Sequence, residues 1–237
     1  MRRTDDIGFG GYRIIQDDEG FSYGVDAVLL SDFCRAKHQD AVLDLGSGNG
    51  IIPLIVYAKY SPKSITGIEL QLSAYLLAEE NAKENSLSDK LSFICGDVKN
   101  IKDLADPESF DLVTCNPPYY EGGRGEGCAS DAKSIARHET SAGLNDFFKA
   151  SAYVLKRGGR LCMVHRPSRL ADIIDLSRKN GLEPKKLQMI VPSMGESPNI
   201  VLIEFVKGAG KELKVLPSLA IHEKDGSYTE ALKKIYE

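Results

Sequence analysis

The sequence predicts an α/β protein, a mostly parallel sheet with helices on both faces. Two observations carry that prediction. From residue 41 onward, apolar runs of strand length alternate with segments of helical length, which is the pattern of βαβ units. The chemically distinctive residues then fall at the carboxyl ends of those runs, where open α/β sheets bind their ligands. At 237 residues, with 42% hydrophobic and 27% charged, the chain has the make-up of one globular domain with additions.

Tyr12 to Gln16 and Phe21 to Tyr23, joined by Asp17-Asp18-Glu19-Gly20, predict a hairpin with a glycine-containing loop. Asp26 stands where a helix N-cap is wanted, before Ala27-Val28-Leu29-Leu30. Residues 1–40 are therefore expected to form a hairpin and helix that pack on a main domain of residues 41–237. In that domain Ala41 to Leu45, Ser64 to Leu70, Leu91 to Cys95 and Phe110 to Cys115 read as strands. Helices are expected over Ile51 to Tyr60, Ser73 to Asn85 and, briefly, Val98 to Ala105. Asn145 is placed to cap a helix through Leu155 that stops at Gly158-Gly159, ahead of a strand from Arg160 to His165. Pro167 suits the start of a helix that runs to Asn180-Gly181, an αL stop. Leu187 to Val191 and Asn199 to Val206 are the last strands, and Thr229 to Tyr236 a final helix. The link from Pro192 to Pro198 is too short for a parallel crossover, so these two strands should run antiparallel.

Three strand ends carry the chemistry of one ligand. After the first strand of the main domain comes Asp44-Leu45-Gly46-Ser47-Gly48-Asn49-Gly50, whose glycines let the backbone turn tightly and approach a ligand. A dinucleotide fingerprint is G-x-G-x-x-G. Here the spacing is G-x-G-x-G, Ile51 stands where the third glycine belongs, and Asp44 would repel a diphosphate while suiting an ammonium or sulfonium group. Glu69 ends the second strand, where a carboxylate can accept from ribose hydroxyls. Asp97 follows the third strand, where it either accepts from an adenine amino group beside the Val98 N–H or simply caps a helix. The fourth strand ends in Asn116-Pro117-Pro118-Tyr119. Two prolines cannot continue a sheet. They leave an amide, a carbonyl with no competing N–H and an aromatic ring where a planar, amino-bearing substrate fits.

With these residues in order on consecutive strands, the chain resembles the class I S-adenosylmethionine-dependent methyltransferases from Gly24 onward. The resemblance implies a Rossmann-like, seven-stranded, mostly parallel sheet whose last strand is antiparallel, with residues 41–237 as the methyltransferase domain. It implies S-adenosyl-L-methionine as cofactor, held by Asp44, Gly46, Ser47, Gly48, Gly50, Glu69, Asp97, Val98 and Asn116. Asn116, Pro117 and Tyr119 are the catalytic candidates. The Asn116 side-chain oxygen and the Pro117 carbonyl can each accept one N–H of an exocyclic amine, and Tyr119 can stack on a base.

Adenine-N6, guanine-N2 and protein-glutamine methyltransferases share this strand-end motif. The glutamine enzymes carry a helical domain ahead of the methyltransferase, and here only about 24 residues precede the first helix. Guanine enzymes tend to have Phe where Tyr119 stands. From Tyr12 onward the chain is most similar to the bacterial tRNA(Val) adenine-37 N6-methyltransferase family, on Tyr23-Gly24-Val25-Asp26-Ala27-Val28-Leu29-Leu30, Asn116 to Tyr119, Ala136-Arg137-His138-Glu139, His165-Arg166-Pro167 and Pro192-Ser193. That resemblance implies tRNA as partner and an adenine beside the anticodon as acceptor. A release-factor glutamine or an RNA guanine remains the alternative. Pro118, Tyr120, Arg137, His138 and Arg166 are candidates for substrate binding. Glu121 to Ser134 is a polar, glycine-rich segment next to Tyr119, read either as a lid or as a surface loop.

The charge distribution bears on the same question. Residues 1–144 hold 14 Lys and Arg against 23 Asp and Glu, and residues 145–237 hold 16 against 11, so a net −9 adjoins a net +5. A basic half can meet a polyanion while the molecule stays acidic overall. Arg166, Arg169, Lys185 and Lys186 are candidates for that face. Five cysteines and four histidines lie far apart with no metal spacing, so neither a metal site nor a disulfide framework is expected. Cys95, Cys115 and Cys162 are expected to be small buried residues inside strands. No apolar run reaches membrane length and no leader is evident, so a cytoplasmic protein is expected.

Overall fold

The computed structural model describes residues 2–17, 24–118 and 142–236. An antiparallel hairpin of β1 (Arg2–Asp6) and β2 (Arg13–Asp17) comes first, followed by α1 (Val25–Phe33). The main sheet then alternates with helices: β3 (Ala41–Leu45), α2 (Ile51–Tyr60), β4 (Ser64–Glu69), α3 (Leu72–Glu84), β5 (Leu91–Cys95), α4 (Ile101–Leu104) and β6 (Phe110–Cys115). After residue 142 come α5 (Leu144–Val154), β7 (Leu155–His165), α6 (Leu170–Lys179), β8 (Leu182–Ser193) and β9 (Ile200–Lys207). Two short strands, β10 (Lys214–Val215) and β11 (Leu219–His222), and α7 (Glu230–Lys233) follow.

The expected seven strands are present in the order β8-β9-β7-β6-β3-β4-β5. β9 runs antiparallel to both β7 and β8, as the short link before it requires. The short β10 and β11 extend the sheet by pairing parallel along the outer edge of β8. One core lies between the sheet and α1, α2 and α3, and reaches the hairpin through Ile7, Phe9 and Ile14. The other holds Phe147 and Phe148 of α5 and Ile173 of α6. Phe148 meets Phe205 of β9 edge-on at 5.4 Å, a favoured aromatic geometry.

Several local expectations are corrected. β2 pairs with the preceding β1, from Arg2 opposite Asp17 to Asp6 opposite Arg13, and the predicted partner at residues 21–23 lies outside the described residues. Arg2–Asp6 is wholly polar, so no alternation announced it. Gly24, not Asp26, is the N-cap of α1; Asp26 sits in the first turn, where its charge suits the helix dipole. Asn145 does not cap α5. Gly143 does, its N–H donating to the Asp146 carboxylate at 3.1 Å, while Asn145 accepts from the Asn180 amide. α5 ends at Val154, and Gly158-Gly159 lie inside β7 at a register shift against β6. Cys95 is exposed rather than buried, because β5 is the edge strand; Cys115 and Cys162 are buried as expected.

Arg160 of β7 ties the first helix to the sheet. Its guanidinium donates to the Cys34 carbonyl at 2.7 Å, the Arg35 carbonyl at 3.2 Å, Asp40 at 3.3 Å and Glu204 at 3.2 Å. Lys186 reaches the other Glu204 oxygen at 2.9 Å. Asp40 and Glu204 are both buried, so removing the arginine takes its guanidinium from two carboxylates shielded from water, leaving Glu204 to Lys186 and Asp40 to the Lys37 N–H. Arg160→Ala is expected to cost about 3–5 kcal/mol in urea denaturation.

Candidate active site

β3 lies between β4 and β6, so its side chains are shielded from solvent along most of its length. Asp44 is the exception in chemistry and not in position: it is 1% exposed. The register places it opposite Gly67 of β4 and Thr114 of β6. The Thr114 hydroxyl donates to Asp44 Oδ1 at 2.6 Å. Asp44 Oδ2 has no partner among the described residues. Burial pushes the Asp44 carboxyl up to about 7, the Glu69 charge adds to that rise, and the Thr114 hydrogen bond opposes it.

The glycine loop that follows is pinned by its own backbone. Gly46 and Ser47 N–H both donate to the Ile68 carbonyl, at 2.8 and 3.1 Å, and Gly50 N–H donates to the Ser47 carbonyl at 2.9 Å. Gly48 and Gly50 hold φ of 55° and 84°, a region that penalises other residues. A Cβ added at Gly48 would meet nothing within 4 Å among the described residues. At Gly67, beneath the loop, a Cβ would come within 2.7 Å of Ser47 Oγ and closer still to Phe93. Ser47 Oγ and Asn49 Nδ2 are, like Asp44 Oδ2, buried without a hydrogen-bond partner among the described residues.

Glu69 is buried at the end of β4 and both its oxygens are already engaged. Oε2 accepts from Gly48 N–H at 2.8 Å and Oε1 from Gln71 N–H at 2.8 Å. It therefore braces the loop, while each oxygen keeps a second lone pair. Asp97 caps a short 3₁₀ turn, Val98–Asn100, accepting from Lys99 N–H at 2.9 Å. The capping alternative read from sequence is the one its contacts display. Val98 beside it is buried.

Asn116, Pro117 and Pro118 leave the sheet at the end of β6, with Pro117 buried, Pro118 exposed and Asn116 between. Leu45 pairs with Cys115, so Gly46 and Asn116 are the next residues on neighbouring strands. The structure thus brings together Asp44, Gly46, Ser47, Gly48, Gly50, Glu69 and Asn116, with Asp97 one strand further out. Arg166 follows β7 at the same edge, its N–H donating to His165 Nδ1 at 2.8 Å. Tyr119, Tyr120, Arg137, His138 and the 121–134 segment lie outside the described residues. Lys185 and Lys186 do not join this rim. They sit near the start of β8, and Lys185 donates to the Gly210 and Lys211 carbonyls at 3.1 and 3.0 Å. Sequence reading missed Thr114; a hydroxyl inside the apolar run Phe110 to Cys115 was its only signal.

The profile of the methyltransferase small domain family matches residues 13–176, more than half of the chain. The chain belongs to this family. A solved structure described as a predicted O-methyltransferase from Agrobacterium tumefaciens superposes with a TM-score of 0.73 at 22% identity, covering 89% of this chain and 95% of its own. Geranyl diphosphate C-methyltransferase from Streptomyces coelicolor A3(2), solved with Mg2+, geranyl diphosphate and S-adenosyl-L-homocysteine, gives 0.56 at 15% identity, covering 77% and 80%. These two likenesses fix the class I methyltransferase fold; their acceptors differ from each other, so fold alone does not choose one. A curated relative from Actinobacillus pleuropneumoniae serotype 7 is 26% identical over 238 residues, 99% of this chain and 97% of its own. It is named tRNA1(Val) (adenine(37)-N6)-methyltransferase. No helix among the described residues is long and apolar enough to cross a membrane.

The Thr114 contact has a measurable consequence. Because the folded value of Asp44 lies above its ordinary 3.8, ionisation costs stability as pH rises from about 4 to about 7, and that cost is complete above 7. Thr114→Val is expected to move the Asp44 midpoint upward in a carboxyl-carbon NMR titration. The same variant should lose more stability at pH 8 than at pH 5.

Proposed function

We propose that this methyltransferase transfers a methyl group from S-adenosyl-L-methionine to the exocyclic N6 amine of an adenine in tRNA, at position 37 of tRNA(Val). The observation that carries the reading is the register of β3 against β6. Leu45 opposite Cys115 makes the glycine loop and Asn116-Pro117-Pro118 leave the sheet side by side, roughly 5 Å apart by strand spacing. The name of the relative from A. pleuropneumoniae, matched along almost the whole chain, supports the choice of acceptor.

The residues present fit the cofactor. Asp44 Oδ2 and Ser47 Oγ are buried polar atoms with no partner among the described residues, and a cationic ligand favours the ionised form of a carboxyl whose titration is raised. We assign Asp44, Gly46, Ser47, Gly48 and Gly50 to the charged end of the cofactor, Glu69 to its ribose, and Asp97 with Val98 to its adenine. S-adenosyl-L-methionine supplies, when bound, a methyl group activated by a cationic sulfur.

The acceptor presents the harder problem, because the N6 lone pair of adenine is delocalised into the ring. The Asn116 side-chain oxygen accepts one N–H and the Pro117 carbonyl the other. Two acceptors held off the plane of the amine favour a pyramidal nitrogen with a directed lone pair. A strong base is unnecessary, since the departing proton becomes acidic once the nitrogen is alkylated. Alignment and fixed dipoles therefore do most of the work. Tyr119 stacks on the base, worth about 1–3 kcal/mol. The adenine must be splayed out of its RNA to reach this pocket. Pro118, Tyr120, Arg137, His138 and Arg166 are assigned to the RNA side of the site.

Asn116→Ala is expected to bind S-adenosyl-L-methionine and tRNA but to lose methyl transfer by roughly 10²–10³-fold in single-turnover assays. Mass analysis of nucleosides from the reaction should find N6-methyladenosine; methylated guanosine, or a methylated release-factor peptide, would move the acceptor elsewhere. The cofactor should bind more weakly as pH falls below about 7, by up to tenfold per unit, because Asp44 must give up its proton. Asp44→Asn should weaken binding at neutral pH and flatten that dependence, as read by calorimetry.

A further inference from the structure

Asn81 on α3 is 0% exposed, and the partners of its side chain lie far apart in the chain. Oδ1 accepts from Ile15 N–H at 2.7 Å, and Nδ2 donates to the Ile15 carbonyl at 3.2 Å. The same Nδ2 donates to the Asn49 carbonyl, in the glycine loop, at 2.9 Å. One helical turn on, Asn85 makes the equivalent pair with Arg13, accepting from its N–H at 2.8 Å and donating to its carbonyl at 2.7 Å. Four helical residues rise about 6.0 Å and two strand residues about 6.6 Å, so amides at 81 and 85 match the exposed backbone of β2 at 15 and 13. Of the two, Asn81 alone also touches the loop.

The contact falls on a peptide in the middle of the glycine loop. The Asn49–Gly50 peptide has Gly50 on one side, whose φ of 84° lies in the region that glycine adopts without penalty. Its N–H is held by the Ser47 carbonyl and its carbonyl by Asn81. Loss of the Asn81 bond leaves the orientation of that peptide held from one side.

We infer that Asn81 is a positioning residue, which fixes the Asn49–Gly50 peptide of the cofactor loop and couples that loop to the N-terminal hairpin through one side-chain amide. The inference rests on the loop holding S-adenosyl-L-methionine, as proposed above. Coupling of this kind is reciprocal: a ligand that needs the loop in place also strengthens the hold on β2.

Calorimetry with S-adenosyl-L-homocysteine on the full chain and two variants tests it. Asn81→Ala is expected to bind roughly tenfold more weakly, the effect of one buried hydrogen bond. Its KM for S-adenosyl-L-methionine should rise by a similar factor with kcat near that of the wild type. Asn85→Ala removes the same kind of hairpin contact without reaching the loop. It should lose a few degrees of melting temperature, about the effect of 1 kcal/mol, and keep its affinity within about twofold. In the wild type, where no folding defect intervenes, hydrogen exchange at the Ile15 amide should slow when S-adenosyl-L-homocysteine is added. Equal affinities for the two variants, or an Ile15 exchange rate indifferent to the ligand, would overturn the coupling. Failure of the wild type itself to bind would instead remove the cofactor reading and the inference with it.

Discussion

Water is excluded from the Asp44 carboxyl, and the arrangement of the site follows from how the fold manages that exclusion. An ionised carboxylate in the middle of a sheet is costly unless it is hydrogen-bonded or paired. Thr114, one strand away, supplies a single hydrogen bond, and the second oxygen has no partner among the described residues. The same two strands deliver the glycine loop on one side and Asn116-Pro117-Pro118 on the other. Their pairing fixes how far apart the glycine loop and the Asn116-Pro117-Pro118 segment sit.

The central strands were legible because each is an apolar run closed by polar or turn-forming residues, and β3, β5 and β6 fall where those runs do. β1 was not, since five polar residues form a strand only by pairing with β2, whose other edge the α3 asparagines hold. β10 and β11 escaped for a similar reason: they are short edge segments held by β8. At the site, residue types and strand ends could be read directly, and pairings could not. Thr114 gains its meaning only from the β3–β6 register. Glu69 spends one lone pair of each oxygen on Gly48 and Gln71, which no spacing rule announces. Asp97 fitted two descriptions from sequence, and its bond to Lys99 N–H displays the helix cap.

Solved structures with this fold are described as methyltransferases of different kinds, so the sheet and loop alone do not select the atom that receives the methyl group. The division is physical. Glycine-loop geometry depends on backbone hydrogen bonds that many side-chain sets tolerate, whereas an amine needs two acceptors at particular positions. Asn116 and Pro117 follow directly on a buried strand that limits their freedom.

Lys59 draws together segments from both ends of the chain. Its ammonium pairs with Asp32 at 2.9 Å, donates to the Ile235 carbonyl at 2.5 Å and sits 5.0 Å from the Phe9 ring, on which Tyr236 stacks at 5.7 Å. The bond to Ile235 spans 176 residues. On a ribosome the amino-terminal segment emerges long before residue 235 exists. Phe9 must wait for Tyr236, and the Lys59–Asp32 pair for the Ile235 carbonyl, until those residues have been made. Phe9 of the hairpin is thus translated well before the Tyr236 ring that covers it.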